Sequence, residues 1–168
     1  MIQQRPGDIL EVEYEDKFYY LVVVTKIFMF GGNIVYAFHG SGSKIDNFCA
    51  SARLDGFNIC TDLLLPKKEG SVTRIGKVDD PKEFLTSSLI KGCHEHRPGK
   101  TAEEWWISTV DSPSEYIARV KSLTLEQSKA MDSGMYSFDL TAKKILESYT
   151  PNKNMFIKKR RGIFGVFS

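Results

Sequence analysis

The stretch that decides the fold is RPGDILEVEYEDKFYYLVVVTKIFMFGGNIVYAF, residues 5–38. Residues 6–8 (PGD) are typical of a turn. From Leu10 to Tyr14, apolar side chains then alternate with glutamates, which is the period of a half-buried strand. The sequence therefore predicts a first strand over residues 9–14.

Two further strands extend the pattern. After a polar break at residues 15–17, residues 18–30 are rich in Tyr, Val and Ile, which favours extended structure over helix. Residues 31–33 (GGN) supply the positive-φ conformations that a tight hairpin needs, and residues 34–38 resume the β pattern. A three-stranded antiparallel meander therefore begins the fold.

More strands and one short helix are predicted over the middle of the chain. Pro81 is preorganised for the first position of a helix, and Asp80 can accept hydrogen bonds from the free amides there, so we expect a short helix over residues 81–89. Pro and Gly indicate a loop over residues 93–100. The strands are predicted at residues 57–65, 71–78 and 103–110.

The last third of the chain changes to helical patterns. Thr124 and Gln127 have the spacing of a capping box, and Gly134 can end the helix that they begin. A second helix is predicted over residues 138–149, because its apolar residues repeat at helical spacing. Its apolar face carries Phe138, Ala142, Ile145 and Tyr149, while Lys143, Lys144 and Glu147 are expected to point away.

The order of these elements predicts an α+β fold. An antiparallel β-meander, or a partly open, barrel-like sheet, occupies the first two thirds, and two short helices lie near the C-terminus. A chain of 168 residues fits one domain, residues 1–168. Within it we distinguish a strand-rich part (7–110), a helical part (113–150) and a basic, aromatic tail (151–168).

Composition and charge argue against several classes of function. Hydrophobic residues make up 42% and charged residues 26% of the chain, close to the averages of globular proteins. A net charge of +2 is too small to hold nucleic acid or an anionic membrane, and the longest apolar run, residues 21–24, is too short to cross a bilayer. The three cysteines lack the spacing of a disulfide framework and the N-terminus lacks a signal-peptide pattern, which favours a cytoplasmic protein.

No group of residues has the pattern of an active site. The segment most similar to a metal site is Cys93-His94-Glu95-His96, but adjacent ligands rarely close a tetrahedron, and no second CxxC or HxxxH pattern is present. We therefore expect no catalysis, metal, cofactor or small-molecule substrate. A hydrolase built around Cys93 and His96 stays as a third alternative, after the two binding functions described below.

The basic, aromatic tail is the basis for the main alternative to a protein-binding function, which is nucleic-acid binding. Lys158–Arg161 is a run of four basic residues flanked by Phe156 and Phe164, a mixture found at nucleic-acid contacts. Four charges without a wider basic face give only modest affinity at physiological salt. A small nucleic-acid-binding β-domain is therefore the second hypothesis.

The first strand offers one candidate surface for a protein partner. We expect Glu11, Glu13 and Glu15 to lie on one face of this strand, with Asp16 in the turn that follows. Such an acidic stripe can face a basic partner. We include Glu11, Glu13 and Asp16 among the candidate partner-binding residues.

A second candidate surface lies at EEWW. Glu103 and Glu104 adjoin Trp105 and Trp106, large aromatic side chains of the kind enriched in interface hot spots. Neighbours in a strand point to opposite faces, so we expect one tryptophan to be buried and the other exposed. All four residues are candidate partner-binding residues.

The order of these features resembles the immunity protein 26 family of bacterial polymorphic toxin and contact-dependent growth inhibition systems. The resemblance rests on residues 5–24 and on residues 116–151, around EYIARVKSLTLEQ and ILESYTP. It implies a non-catalytic protein that protects its own cell by binding a cognate toxin, often a nuclease, and blocking its active site or the path of its substrate. Because the net charge of +2 does not suit a mimic of nucleic acid, we expect a local acidic patch to make the contact.

Overall fold

The computed structural model describes residues 3–27, 32–40, 42–52, 55–63, 70–93 and 104–151. Within these ranges the chain forms ten strands, two α-helices and two 3₁₀ turns. The strands are β1 (Asp8–Tyr14), β2 (Lys17–Ile27), β3 (Gly32–Phe38), β4 (Gly56–Thr61), β5 (Gly70–Lys77), β6 (Leu89–Cys93), β7 (Trp105–Thr109), β8 (Ala118–Val120), β9 (Met131–Asp132) and β10 (Met135–Tyr136). The helices are α1 (Leu125–Ser128) and α2 (Phe138–Leu146), and the 3₁₀ turns cover Ala50–Ala52 and Pro81–Phe84.

Sheet one contains six strands in the spatial order β10-β4-β3-β2-β1-β5. Strands β1 to β4 are an antiparallel meander, and β5 returns to pair with β1 on its outer side. The β1–β2 turn consists of Glu15 and Asp16, whose φ angles of 49° and 58° are both positive, as a type I′ hairpin turn requires. The predicted meander is confirmed.

Sheet two contains four strands in the order β8-β7-β6-β9. Strand β7 pairs antiparallel with both β6 and β8, whereas the short β9 joins β6 in parallel. The next strand, β10, pairs in parallel with β4 of sheet one, so residues 131–136 link the two sheets. Within the described ranges neither sheet closes on itself, so the α+β fold consists of two open sheets with two short helices near the C-terminus.

Sheet one is covered on both of its faces. The apolar residues of α2 pack against one face, and all four residues predicted for that helical face are buried: Phe138, Ala142, Ile145 and Tyr149. On the other face, Val22 and Tyr36 share a hydrophobic cluster with Ile90 of sheet two and with Phe84 of the second 3₁₀ turn. Each large apolar side chain buried in this way contributes roughly 1.5–3 kcal/mol.

The predicted helix after Thr124 is much shorter than expected. The capping box is present, because the Gln127 amide donates to the Thr124 hydroxyl at 3.2 Å and the Thr124 amide donates to the Gln127 side chain at 3.0 Å. The helix nevertheless ends at Ser128, and Gly134, with a φ of 137°, lies between β9 and β10. The chain leaves the helix here because residues 131–132 pair with β6.

Other local predictions also need correction. Asp80 does cap the turn that follows, since its side chain accepts from the Lys82 amide at 2.9 Å, but that turn is 3₁₀ and ends at Phe84. Strands β6 and β8 were not predicted at all. Lys144 does not point away from the core: it is only 4% exposed, and its ammonium lies 3.5 Å from the centre of the Tyr149 ring.

Candidate protein-binding surface

Trp106 packs against sheet two at Gly92, where the lack of a side chain leaves room for the indole ring. The two residues are opposite each other in the antiparallel pairing of β6 and β7, so they face the same side of the sheet. A Cβ atom at Gly92 would overlap the Trp106 indole and the Ser133 hydroxyl. Glycine at this position therefore lets the indole lie against the backbone of β6.

Tyr116 packs next to the Trp106 indole, and Arg119 packs next to Tyr116. The Tyr116 ring centre lies 5.0 Å from that of Trp106, with the ring planes tilted by 34°. The Arg119 guanidinium lies 5.6 Å from the centre of the Tyr116 ring, at the range of a cation–π contact. Because Arg119 pairs with Trp106 across β7 and β8, the three side chains lie on one face of sheet two.

The loop that carries Tyr116 is tied to β7 by hydrogen bonds from two of its backbone amides. The Ile117 amide donates to the Ile107 carbonyl at 2.8 Å, and the Ser112 amide donates to the Thr109 hydroxyl at 3.1 Å. Tyr116 is 48% exposed and Ile117 is 59% exposed, which is high for large apolar side chains. We call Trp106, Tyr116, Ile117 and Arg119 together the Trp106 surface.

The structure separates the residues predicted at EEWW. Trp105 is buried at 8% exposure and packs with Cys93 in a small cluster on one face of sheet two. Trp106, on the opposite face, is half-buried and packs against the hydrophobic cluster shared by the two sheets, and Glu104 is exposed. Glu103 lies outside the described residues. Trp106 and Glu104 are thus the accessible members of this set.

The predicted acidic stripe is engaged within the chain chiefly at Glu11, whereas Glu13 and Asp16 are exposed. Glu11 is only 15% exposed, accepts a hydrogen bond from the Tyr20 hydroxyl at 3.0 Å, and lies 3.7 Å from the Lys44 ammonium. Glu13 accepts from the Ser71 hydroxyl at 3.3 Å. Asp16 lies in the hairpin turn as predicted, but β1 ends at Tyr14, so Glu15 lies in that turn as well rather than on the strand face.

The main buried charge in sheet two is Lys91, which is 1% exposed. Its ammonium donates to three backbone carbonyl oxygens, those of Ser128 at 2.6 Å, Ala130 at 2.9 Å and Pro151 at 2.9 Å. Burial lowers the pKa of Lys91, and the Asp132 carboxylate, 3.5 Å away, opposes that shift. With its donors occupied by main-chain acceptors, this amine fastens the segment 128–151 to β6 and is unsuited to act as a nucleophile.

Asp132 joins Lys91 to the aromatic residues next to α2. Its carboxylate accepts a short hydrogen bond from the Tyr149 hydroxyl. Burial, with Asp132 as the next cause, raises the pKa of Tyr149, and the same two causes raise the pKa of Tyr136 to about 12. Burial also lowers the pKa of Lys144, whose ammonium packs on both tyrosine rings. These groups form a buried structural cluster between sheet two and α2.

The three cysteines form no disulfide with one another. All three are free thiols; Cys49 is exposed, while Cys60 and Cys93 are buried. Burial raises the pKa of Cys60 to about 11, and hydrogen bonds led by that from Ser51 lower the pKa of Cys49. His94–His96 lie outside the described residues, as does the basic run at residues 158–161. Among the residues that are described, no three His, Cys, Asp or Glu side chains are grouped to hold a metal ion.

Comparisons with known proteins give this chain no relatives. No protein-family model, no curated protein and no solved structure matches it. None of the helices in the described parts of the chain has the length and apolar character that a membrane span requires. The interpretation of function therefore depends on the residues and contacts of this chain.

Sequence reasoning found Trp106 but missed its neighbours. Tyr116, Ile117 and Arg119 were noted only as part of the segment on which the family resemblance rests. Two adjacent large apolar residues after a polar, turn-forming stretch are a weak signal of an exposed patch. Their contact with Trp106 depends on β8 pairing with β7, and a three-residue strand is not recognisable from its sequence alone.

Proposed function

We propose that this chain is a cytoplasmic immunity protein that binds a cognate protein toxin and blocks its active site or the path of its substrate. The observation that carries the proposal is the Trp106 surface. It combines Trp, Tyr and Arg, the three residue types most enriched in the hot spots of protein interfaces. Catalysis is not required for this function.

Two features of the Trp106 surface support a protein partner. Its aromatic residues are held in place by Gly92 and by the loop hydrogen bonds of Ile117, so little side-chain freedom is lost on binding. Its exposed side chains, Tyr116 and Ile117, come from the same segment that resembles the immunity proteins. A stable complex would bury on the order of 1,600 Å² in total, and this surface would form its centre.

The test uses the protein encoded by the adjacent upstream reading frame, because immunity genes of this type accompany their toxins. That protein is produced in cells with and without this chain, and growth and co-purification are measured. We expect a stable complex and restored growth. A toxic neighbour that neither binds this chain nor is neutralised by it would overturn the proposed pairing.

Substitutions then test whether the Trp106 surface makes the contact. Ile117→Asp and Tyr116→Ala are compared with Ile75→Asp, which alters an isoleucine 41% exposed on β5 of sheet one. We expect Tyr116→Ala to weaken the complex by roughly ten- to thirtyfold, as loss of a hot-spot side chain does. The Ile75 variant should bind like the unchanged protein. Equal affinities for all three variants would show that the contact lies elsewhere.

A further inference from the structure

A cleft of about 630 Å³ lies beside the second 3₁₀ turn, where the segment before the turn and β3 both contribute to its lining. Its lining includes two aromatic rings, Tyr36 and Phe84. Three carboxylates and one ammonium also line it: Asp79, Asp80, Glu83 and Lys77. We call this the acidic cleft. Its volume is within the range of roughly 300–1,000 Å³ found for sites that bind small ligands or single inserted side chains.

The aromatic part of the acidic cleft is fixed by packing. Tyr36 belongs to β3 and is only 4% exposed, and its ring meets that of Phe84 edge to face, with centres 5.6 Å apart. Phe38 also packs against Phe84, with ring centres 6.0 Å apart. The two cleft rings therefore keep their positions whether or not a ligand is present.

The wall of the acidic cleft is fastened to sheet one by Asn58. This residue of β4 is 3% exposed, and its side-chain amide donates to the Phe84 carbonyl at 2.9 Å. Its side-chain oxygen accepts from the Thr86 amide at 2.7 Å and from the Thr86 hydroxyl at 2.8 Å. These bonds hold residues 84–86, and Asp80 caps the turn before them. The cleft is thus a preorganised feature of the fold.

The charge of the acidic cleft is not balanced within the part of the chain that the structure describes. Asp79 and Glu83 form no ion pair with any described residue. Lys77 is the sole cation in the lining, and its aliphatic stem runs along Gly7. Three acidic residues beside the partly exposed Phe84 ring favour a planar cation, because a guanidinium can stack on an aromatic face while it donates two parallel hydrogen bonds to a carboxylate.

We propose that the acidic cleft receives an arginine side chain of the protein partner. This inference rests on the proposed function and names the chemistry of a second contact with the same partner. Charge complementarity selects a basic segment, and the Phe84 ring beside the acidic residues selects arginine over lysine, whose compact ammonium is more strongly hydrated. The local acidic patch of the interface is then formed by residues 79–83 rather than by β1.

The first test needs no partner. Backbone amide signals of the labelled protein are followed by NMR while acetyl-Gly-Arg-Gly-amide is added, and then the same peptide with citrulline, the neutral isostere of arginine. We expect saturating shifts at Val78, Glu83 and Thr86 with the arginine peptide, and binding at least about tenfold weaker with citrulline or at high salt. Absence of shifts at the cleft, or equal binding of both peptides, would overturn the proposal.

Substitutions link the site to its carboxylates and to the partner. Asp79→Asn combined with Glu83→Gln is compared with Glu126→Gln, which neutralises an exposed acid in α1. The double variant should lose about tenfold or more in affinity for both the arginine peptide and the partner. The Glu126 variant should bind both with unchanged affinity. If the peptide affinity falls but the partner affinity does not, the arginine does not come from the partner. If the Trp106-surface variants lose partner binding but the Asp79 and Glu83 double variant does not, the proposed function stands and the acidic cleft is not a contact with the partner.

Discussion

The indole of Trp106 lies against Gly92 on the neighbouring strand, where even a single methyl group would overlap it. The two residues are paired across β6 and β7, so the identity of one determines the position of the other. The ring of Tyr116 depends in turn on that indole. A residue without a side chain thus shapes the exposed surface.

Gly92→Ala should therefore disturb the Trp106 surface without changing any residue in it. The added methyl group forces the indole or β6 to move, and such overpacking costs roughly 1–3 kcal/mol of the free energy of unfolding. Urea denaturation gives the stability, and tryptophan fluorescence reports the displaced ring. Gly40→Ala is the control, because a Cβ there meets nothing within 4 Å among the described residues. Identical stability and fluorescence in both variants would contradict the packing described here.

Strands β1 to β3 of sheet one were predictable because their signals are local. Residues 9–38 alternate or are rich in β-branched and aromatic residues, and the turns between the strands carry polar residues or glycines. Strands β6, β8, β9 and β10 each have five residues or fewer, and they form because a partner strand is available. Such pairing depends on the tertiary fold, which periodicity does not report.

The burial of Lys144 shows why the second helix was only partly predicted. Its apolar face follows from the spacing of Phe138, Ala142 and Ile145, all of which are buried. Lys144 lies beside that face, and its long side chain reaches Tyr136 and Tyr149 on other segments. The spacing of residues in a helix predicts the direction of a side chain. It does not show whether aromatic rings from other segments lie in that direction.

The acidic cleft could not have been found from the sequence. Asp79, Asp80 and Glu83 look like an ordinary solvated stretch around a proline. They become a site only because Asn58, more than 20 positions earlier in the chain, fastens residues 84–86 over Tyr36. Likewise, the acidic stripe on β1 looked available, but Glu11 is engaged by Tyr20 and Lys44.

Lys91→Met should cause a large loss of stability. The substitution leaves three buried carbonyl oxygens and the Asp132 carboxylate without their cationic partner, and breaking a buried pair in this way costs about 3–5 kcal/mol. Lys143→Met is the matched control, because Lys143 is exposed and pairs with Glu147 at 3.8 Å, an arrangement worth about 0.3–0.5 kcal/mol. Chemical denaturation of the two variants measures the difference. Similar stabilities would mean that Lys91 is not an important link between β6 and the C-terminal segment.

Tyr149 should make the protein sensitive to alkaline pH. Its pKa is raised in the folded state, so above its ordinary value of 10.0 the unfolded chain releases the phenolic proton while the folded chain keeps it. The free energy of unfolding then falls as pH rises, by about 1.4 kcal/mol per pH unit for each such tyrosine. Lys91 and Lys144, whose pKa values are lowered, act in the opposite direction below pH 10.5.

Tyr149→Phe isolates this contribution, because the two lysines are present in both proteins. At neutral pH the variant should be less stable by about 1 kcal/mol, since the hydrogen bond to Asp132 is lost. Above pH 10 its stability should fall less steeply than that of the unchanged protein. Urea denaturation at a series of pH values measures both slopes, and parallel curves would show that Tyr149 ionises in the folded protein as it does in the unfolded chain.

Ser108→Ala should leave stability unchanged or increase it. Ser108 of β7 is fully buried, and its hydroxyl has no hydrogen-bond partner among the described residues. An unsatisfied buried hydroxyl costs about 1–3 kcal/mol, which the substitution removes at the expense of one small atom. Thr141→Val is the contrasting change, because the equally buried Thr141 hydroxyl donates to the Ser137 carbonyl at 3.1 Å, and its loss should cost about 1 kcal/mol. Thermal or urea unfolding of both variants should give effects of opposite sign, and a clear destabilisation by Ser108→Ala would reveal that the hydroxyl has a partner after all.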